Sequence, residues 1–278
     1  MAGLRVDRPA GAAWAIDEIP FHAIDRDQVR DDQHLFYAVA VASFVEITAD
    51  LYTAGLVEFY RGDDEATDWL SQQWEPEELQ HGAALKRYVQ STWPDFDWNT
   101  AYRGFFAEYA RCCGADGLAT TRALEFAARC VVETGTATFY RGLSDMTGEP
   151  VLKQITSLIA ADEIRHYKHF YSFFRRYQER DRTSRLAVAR TLWRRMAEVD
   201  SVDALIAFKH VFLAVNPGCE FQMSHYHAFL SRTRLLARRH YPIPMAVRML
   251  LKPLALSPPV VRAIVPPIVS TAQFMLRF

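Results

Sequence analysis

On an α-helix, residues three apart share a face, one turn above the other. This sequence carries the pair Glu-x-x-His twice, as Glu78-x-x-His81 and as Glu163-x-x-His166. Each pair offers a carboxylate and an imidazole to one point in space. Two such pairs on separate helices, joined by one Glu from each of two more helices, are what a helical bundle needs to hold two metal ions. That requirement constrains the fold more than any other feature. It predicts an all-α chain in which four long helices bring their acidic and imidazole side chains inward.

The pattern along the chain supplies those helices. Residues 1–30, with Pro9, Gly11 and Pro20, read as an irregular N-terminal arm. Asp31 and Asp32 are good helix starters ahead of an apolar-periodic stretch over 33–60, with Glu46 at its centre. Arg61-Gly62-Asp63-Asp64 closes it in a turn. A second helix covers 65–91, where Pro76 marks a kink or a fresh start just before Glu78. A shorter helix over 100–113 sits inside a long connection, and Gly114-Ala115-Asp116-Gly117 breaks it. A third long helix spans 119–146 around Glu133, and a fourth spans 151–178 with the second Glu-x-x-His. Further helices are expected over 184–199, 203–215 and 220–240. The Pro-interrupted apolar tail, 241–278, suits short helical hooks, a lid or a membrane-surface patch. No useful period-2 strand pattern occurs. The expected organisation is thus an arm over 1–30, a bundle over 31–180, and a C-terminal helical extension over 181–278 packed on it.

Charge is distributed unevenly. Residues 171–278 hold 17 Lys and Arg against 6 Asp and Glu, leaving 15 against 27 in residues 1–170, although the net charge of the 278 residues is only −1. The basic half suits an acidic carrier protein, an anionic membrane or a nucleic acid. Mutual neutralisation of the two halves is the simpler alternative. The cysteines Cys112, Cys113, Cys130 and Cys219 form no C-x-x-C, which speaks against a zinc knuckle or a thioredoxin-like site. With no secretory signal and no run of 18 apolar residues, a cytoplasmic protein without a membrane span is expected.

A single Glu-x-x-His arises by accident on many helix surfaces, and a lone Glu is more often solvated than ligating. The ordered set carries more weight. Glu46, Glu78, His81, Glu133, Glu163 and His166 all fall near the middle of expected helices in apolar surroundings. Glu46 precedes Glu78 by 32 residues and Glu133 precedes Glu163 by 30, which suggests a duplicated helical hairpin. Carboxylate oxygen and imidazole nitrogen suit Fe(II) and Mn(II). Four carboxylates match the charge of two divalent ions, so two irons, or a manganese–iron pair, are the expected cofactor.

These residues also carry a family resemblance. Residues 74–82, W-E-P-E-E-L-Q-H-G, resemble the W-x-x-E-E-x-x-H-G signature of the soluble acyl-carrier-protein desaturases, members of the ferritin-like di-iron carboxylate proteins. Residues 160–166, A-A-D-E-I-R-H, are similar to that family's A-A-D-E-x-R-H segment, and Glu133-Thr134-Gly135-Thr136 to its third-helix segment. The resemblance covers about 35–180. It implies a ferritin-like four-helix bundle with a long crossover connection. Glu46 and His81 would be terminal ligands of one iron, Glu133 and His166 of the other, and Glu78 and Glu163 would bridge. Thr136 would be a catalytic hydroxyl near the oxygen-binding face, and Asp162 would fix the tautomer of a ligand His. Their simpler roles are a hydroxyl bonded to a carbonyl one turn back and an ordinary helix charge. The chain departs from the family in its short loop after the first helix and in everything beyond about residue 200. Ile159 stands where related arylamine oxygenases carry a further His.

The function expected on this basis is dioxygen-dependent desaturation or hydroxylation of an unactivated C–H bond in an acyl-type substrate. Electrons would come from a ferredoxin-type donor, because no reductase cofactor motif is present. The arginines of 175–195, with Arg232, Arg234, Arg238 and Arg239, would dock an acidic acyl carrier protein. A homodimer is common among the proteins this one resembles. An iron- or peroxide-handling ferritin-like protein is the alternative, as is a hydroxylase of a natural-product intermediate or a tRNA base. The arginines are not interleaved with an aromatic platform, which weighs against nucleic acid.

Overall fold

The computed structural model describes residues 13–112, 117–198 and 202–276. The first part of the arm, 1–12, and the break at 114–116 lie outside those residues. From Ala13 the arm runs through 3-10 turns at Ile16–Glu18 and Phe21–Ala23 and the four-residue helix α1, Arg26–Val29. Asp32 then caps α2, Gln33–Glu46, its carboxylate accepting the Leu35 N–H at 3.0 Å. Such a cap stabilises a helix start by about 1 kcal/mol.

The expected single helix over 33–60 is two helices. After Glu46 the chain steps through Ile47 and Thr48 before α3, Ala49–Phe59. Thr48 turns its hydroxyl back onto the Val45 carbonyl at 2.7 Å and the Phe44 carbonyl at 3.2 Å, occupying groups that the interrupted helix would otherwise bond. By length and composition alone Gln33–Phe59 would pass for a membrane span, but 67% of its most apolar window is buried inside the protein, as in a core helix.

Gly62, at φ +89°, makes the turn into α4, Asp64–Trp69, whose N-cap is Asp63. Leu70–Trp74 is wound as a π turn, and the Glu75 N–H bonds the Leu70 carbonyl five residues back. Pro76 has no N–H for the carbonyl of Gln72, so the extra residue enters where α winding would lose a bond anyway. Helix α5, Glu75–Thr92, follows with Pro76 in its first turn. Then come α6, Trp98–Tyr109; α7, Arg122–Met146; α8, Pro150–Asp181; α9, Arg185–Ala197; α10, Val202–Val215; and α11, Met223–His240. The tail does not form short hooks. After α12, Ile243–Leu251, it builds the 18-residue α13, Pro258–Met275, with Pro266 and Pro267 inside it. Among the described residues every regular element is helical, so the fold is all-α.

The chain divides into two compact units. The first comprises Met1–Ala115, Gly148–Ile155 and Ser201–Tyr226. In it α2 packs against α5 and α10, and α10 against α6. Its core is aromatic: Phe44 meets Trp98 edge-on at 5.0 Å between ring centroids, and the Trp98 indole N–H bonds the Ser43 hydroxyl at 2.9 Å. Each buried ring of this kind contributes roughly 1.5–3 kcal/mol by leaving water. Glu149 is fully buried here. Its carboxylate accepts the Val151 and Leu152 N–H groups at the start of α8, the Asp25 N–H, and the Tyr88 hydroxyl at 3.0 Å. A buried carboxylate is tolerable when donors surround it in this way.

The second unit comprises Asp116–Thr147, Thr156–Asp200 and His227–Phe278. Here α7 packs against α9 and α12, and α12 against α13. Phe126 of α7 sits among Phe170, Phe173 and Tyr177 of α8. Gly142 lets the Tyr241 ring lie directly on α7, where an added Cβ would come within 2.3 Å of the ring. Val261, Val265 and Val269 of α13 close over Ile243 and Val247 of α12. That apolar seam keeps α13 helical past its two internal prolines.

Candidate metal sites

In the first unit, Glu46 ends α2 while Glu78 and His81 sit one turn apart on α5. All three side chains are buried, with His81 fully enclosed. His81 Nδ1 lies 4.0 Å from Glu46 Oε2 and 3.9 Å from Glu78 Oε2. These separations are too long for hydrogen bonds. They suit atoms that share an ion, since ligands about 2.1 Å from one metal stand about 3–4 Å apart.

The close approach that sets this spacing depends on Gly82. A Cβ at residue 82 would fall 2.5 Å from the Ile47 nitrogen, in the step between α2 and α3. The side chain missing from α5 is therefore what admits the end of α2, and Glu46 with it. Above the triad, Trp14 of the arm stacks on His81 at 6.2 Å between centroids, with the rings 4° from parallel. Gln80 fixes the arm in place by donating to the Trp14 carbonyl at 3.2 Å. Trp74, buried in the π turn, lies one turn before Glu78.

The second unit repeats the arrangement. Glu133 sits at mid-α7, and Glu163 and His166 one turn apart on α8; each is about 1% exposed. His166 Nδ1 lies 3.6 Å from Glu133 Oε2. Both imidazoles thus turn Nδ1 toward their carboxylates. The Thr136 hydroxyl donates to Glu163 Oε2 at 2.6 Å, while the Val132 and Glu133 carbonyls lie at 3.3 Å. The sequence left open whether this hydroxyl bonds a carbonyl one turn back, and the shorter contact is to the carboxylate. Asp162 is buried and accepts Arg165 Nη1 at 2.7 Å.

The neighbours of this triad are held neutral. Burial pushes the Cys130 thiol well up, and the Glu133 carboxylate adds to the effect, so Cys130 packs as an uncharged group. Burial likewise raises the Tyr167 phenol, which donates to the Met249 carbonyl at 2.7 Å and ties α8 to α12.

Each triad is two carboxylates and one imidazole, with ligand atoms inside a sphere that one ion can fill: they all lie within 4.8 Å of one another. Buried acidic groups at this density are tolerable when a cation shares them. The donor set, oxygen-rich with a single nitrogen, fits iron or manganese better than a thiolate-seeking metal. Each buried Glu/His group can hold a metal ion.

The sequence placed all six candidate ligands, and the structure brings Glu46 to Glu78 and His81, and Glu133 to Glu163 and His166. Trp14 was not anticipated. Its one signal was a tryptophan in an arm of mixed, Pro-containing sequence. Comparison of the chain with family models, with curated proteins and with solved structures found no match.

Proposed function

We propose that this protein is a ferritin-like di-iron oxidoreductase that desaturates or hydroxylates an unactivated C–H bond of an acyl-type substrate. Glu46, Glu78 and His81 serve one iron, and Glu133, Glu163 and His166 the other. The observation that carries the reading is the repetition itself. The same buried donor set recurs once in each unit, on helices whose sequences resemble the two signatures of the acyl-carrier-protein desaturases. A pair of irons held there would supply the activation of dioxygen that oxidation of such a bond requires.

The chain's own residues supply the rest. The six ligands fix the metal positions on rigid helices. Trp14 covers His81 of the first triad and excludes water from that face of the ring. The Thr136 hydroxyl donates from Oγ1 to Glu163 Oε2, which orients that carboxylate and keeps a proton beside it. Reducing equivalents come from an external ferredoxin-type donor. The arginines of the C-terminal half offer a surface for an acidic acyl carrier, and a manganese–iron pair is a variant of the same centre.

The test is an activity screen on the iron-loaded protein, using free and carrier-linked acyl substrates with reduced ferredoxin and products read by mass spectrometry. Loss of two hydrogens or gain of one oxygen is expected, in step with dioxygen uptake. Dioxygen-dependent oxidation of added Fe(II), with the iron retained and no organic product across the screen, would instead assign an iron-handling protein.

A further inference from the structure

We propose that Trp14, held by Gln80, is a positioning residue for the first triad: it locks the His81 imidazole toward Glu46 and Glu78 and slows the exchange of an ion held there. This role rests on Glu46, Glu78 and His81 being metal ligands, and it adds the part of the chain that controls one of them. The arm is laid along α5 at several points. Its two 3-10 turns pack against that helix, and Ile16, Ile19 and Phe21 are buried. The Arg87 guanidinium lies over the Phe21 ring, 4.4 Å from its centroid, and reaches Asp17 at 3.4 Å. That ion pair is exposed and adds little by itself, so burial of the apolar side chains carries most of the attachment.

Trp14 lies at the other end of this contact and is 2% exposed. Successive residues of a helix point about 100° apart. Gln80 and His81 therefore hold Trp14 by different parts. Gln80 donates to its carbonyl at 3.2 Å, and the His81 ring lies against its indole, 4° from parallel. Gln80 is itself buried, so losing this bond would strand two buried polar groups.

A histidine ring is otherwise able to turn about its Cβ–Cγ bond, where the preference is broad and two-fold. Such a turn swings the ring out of its plane. With the indole parallel to one face, the turn runs into Trp14, and Nδ1 stays 4.0 Å from Glu46 Oε2 and 3.9 Å from Glu78 Oε2. A ligand oriented in advance gives up little freedom when it takes an ion, and the ion leaves more slowly. The arm and the first triad belong to one compact unit, while Glu133, Glu163 and His166 belong to the other. Trp14 therefore acts on one ion of the two.

The experiment follows release of Fe(II) from the full chain to ferrozine after anaerobic loading. It is run in the wild-type background and in His166→Ala, which retains the first triad. Trp14→Ala should speed release from the first triad by about 10- to 100-fold, the usual cost of losing a group that orients a ligand, and leave release from the second unchanged. Trp14→Phe keeps a flat ring over His81 and should recover most of the loss. Trp14→Leu fills space without a flat face and should release like Trp14→Ala. Gln80→Leu should act in the same direction, and urea unfolding of each metal-free variant reports folding. Unchanged release in Trp14→Ala, with one iron bound per His166→Ala chain, would overturn the proposal and leave the ligands standing. Equal acceleration at both triads, or one release rate for Trp14→Phe and Trp14→Leu, would also overturn it and leave the arm a packing role. Failure of the wild type to take up iron would overturn the ligand assignment and this role with it.

Discussion

The Thr136 hydroxyl stands 2.6 Å from Glu163 Oε2 and bridges two helices, α7 and α8. Thr136 lies one turn after Glu133 on the same face of α7, so one stretch of helix supplies both a candidate ligand and a proton-bearing group for another ligand. A hydroxyl at this distance can orient the carboxylate and supply a proton without changing the donor set. Thr136→Val should therefore leave iron loading intact and lower turnover on the order of 10²-fold, the usual scale for a positioned proton donor. Thr136→Ser should recover most of the loss. Iron content by absorbance and kcat for the substrate found in the screen check both halves, and a valine variant with unchanged kcat would leave the hydroxyl a packing role.

Removing a ligand acts on loading first. His81→Ala and His166→Ala each delete the one imidazole of a triad, leaving two buried carboxylates to share a charge that the metal had balanced. Each variant should bind about one iron per chain where the wild type binds two, and Glu163→Ala should resemble His166→Ala. Metal analysis after anaerobic loading and desalting decides it. Full loading in both His variants would remove the assignment, whatever the activity.

The candidate ligands were legible because they obey local rules. Glu78 and His81, like Glu163 and His166, meet through the three-residue spacing of one helix, and the apolar context of Glu46 and Glu133 marked their helices as buried. Asp32, Asp63 and Gly62 announced the helix ends. The break after Glu46 was not legible, because apolar periodicity runs straight through Ile47 and Thr48; the step lies against Gly82, 35 positions downstream. Trp14 on His81 is a contact of the same long-range kind. The tail misled in the opposite direction. Pro266 and Pro267 argue locally against a helix, yet packing of α13 on Ile243 and Val247 outweighs two missing hydrogen bonds.

The Gly82 contact makes a prediction that separates packing from chemistry. Gly82→Ala places a methyl where the Ile47 backbone now lies, and backbone cannot step aside as a flexible side chain can. The expected cost is about 1–3 kcal/mol in urea unfolding. The same displacement should move Glu46 away from His81 and lower iron affinity at the first triad while the second loads normally. Gly55→Ala is the control, since nothing lies within 4 Å of an added Cβ there. An alanine at residue 82 that changes neither stability nor loading would mean that the approach of α2 to α5 is not what sets the triad.

A buried acid away from the metal candidates, Glu125, contributes to how the fold responds to acid. Glu125 is fully buried in the second unit, where burial pushes its carboxyl up. That push is outweighed by Arg129 at 2.8 Å, the Ala119 N–H at 2.7 Å and Arg195 at 3.7 Å, so the folded pKa lies below the ordinary 4.5. A depressed folded pKa means that the unfolded chain binds the proton more readily. The contribution to stability is therefore present at pH above 4.5 and is lost as the pH falls through the lower folded value. Glu125→Gln should cost stability at neutral pH, through lost charge pairing with Arg129 and Arg195, and its stability should fall less steeply than that of wild type below about pH 4.5. Urea unfolding across that range, with the metal removed from both proteins so that ligand protonation is common to them, measures the difference. Parallel curves would show that Glu125 is protonated alike in the folded and unfolded chains.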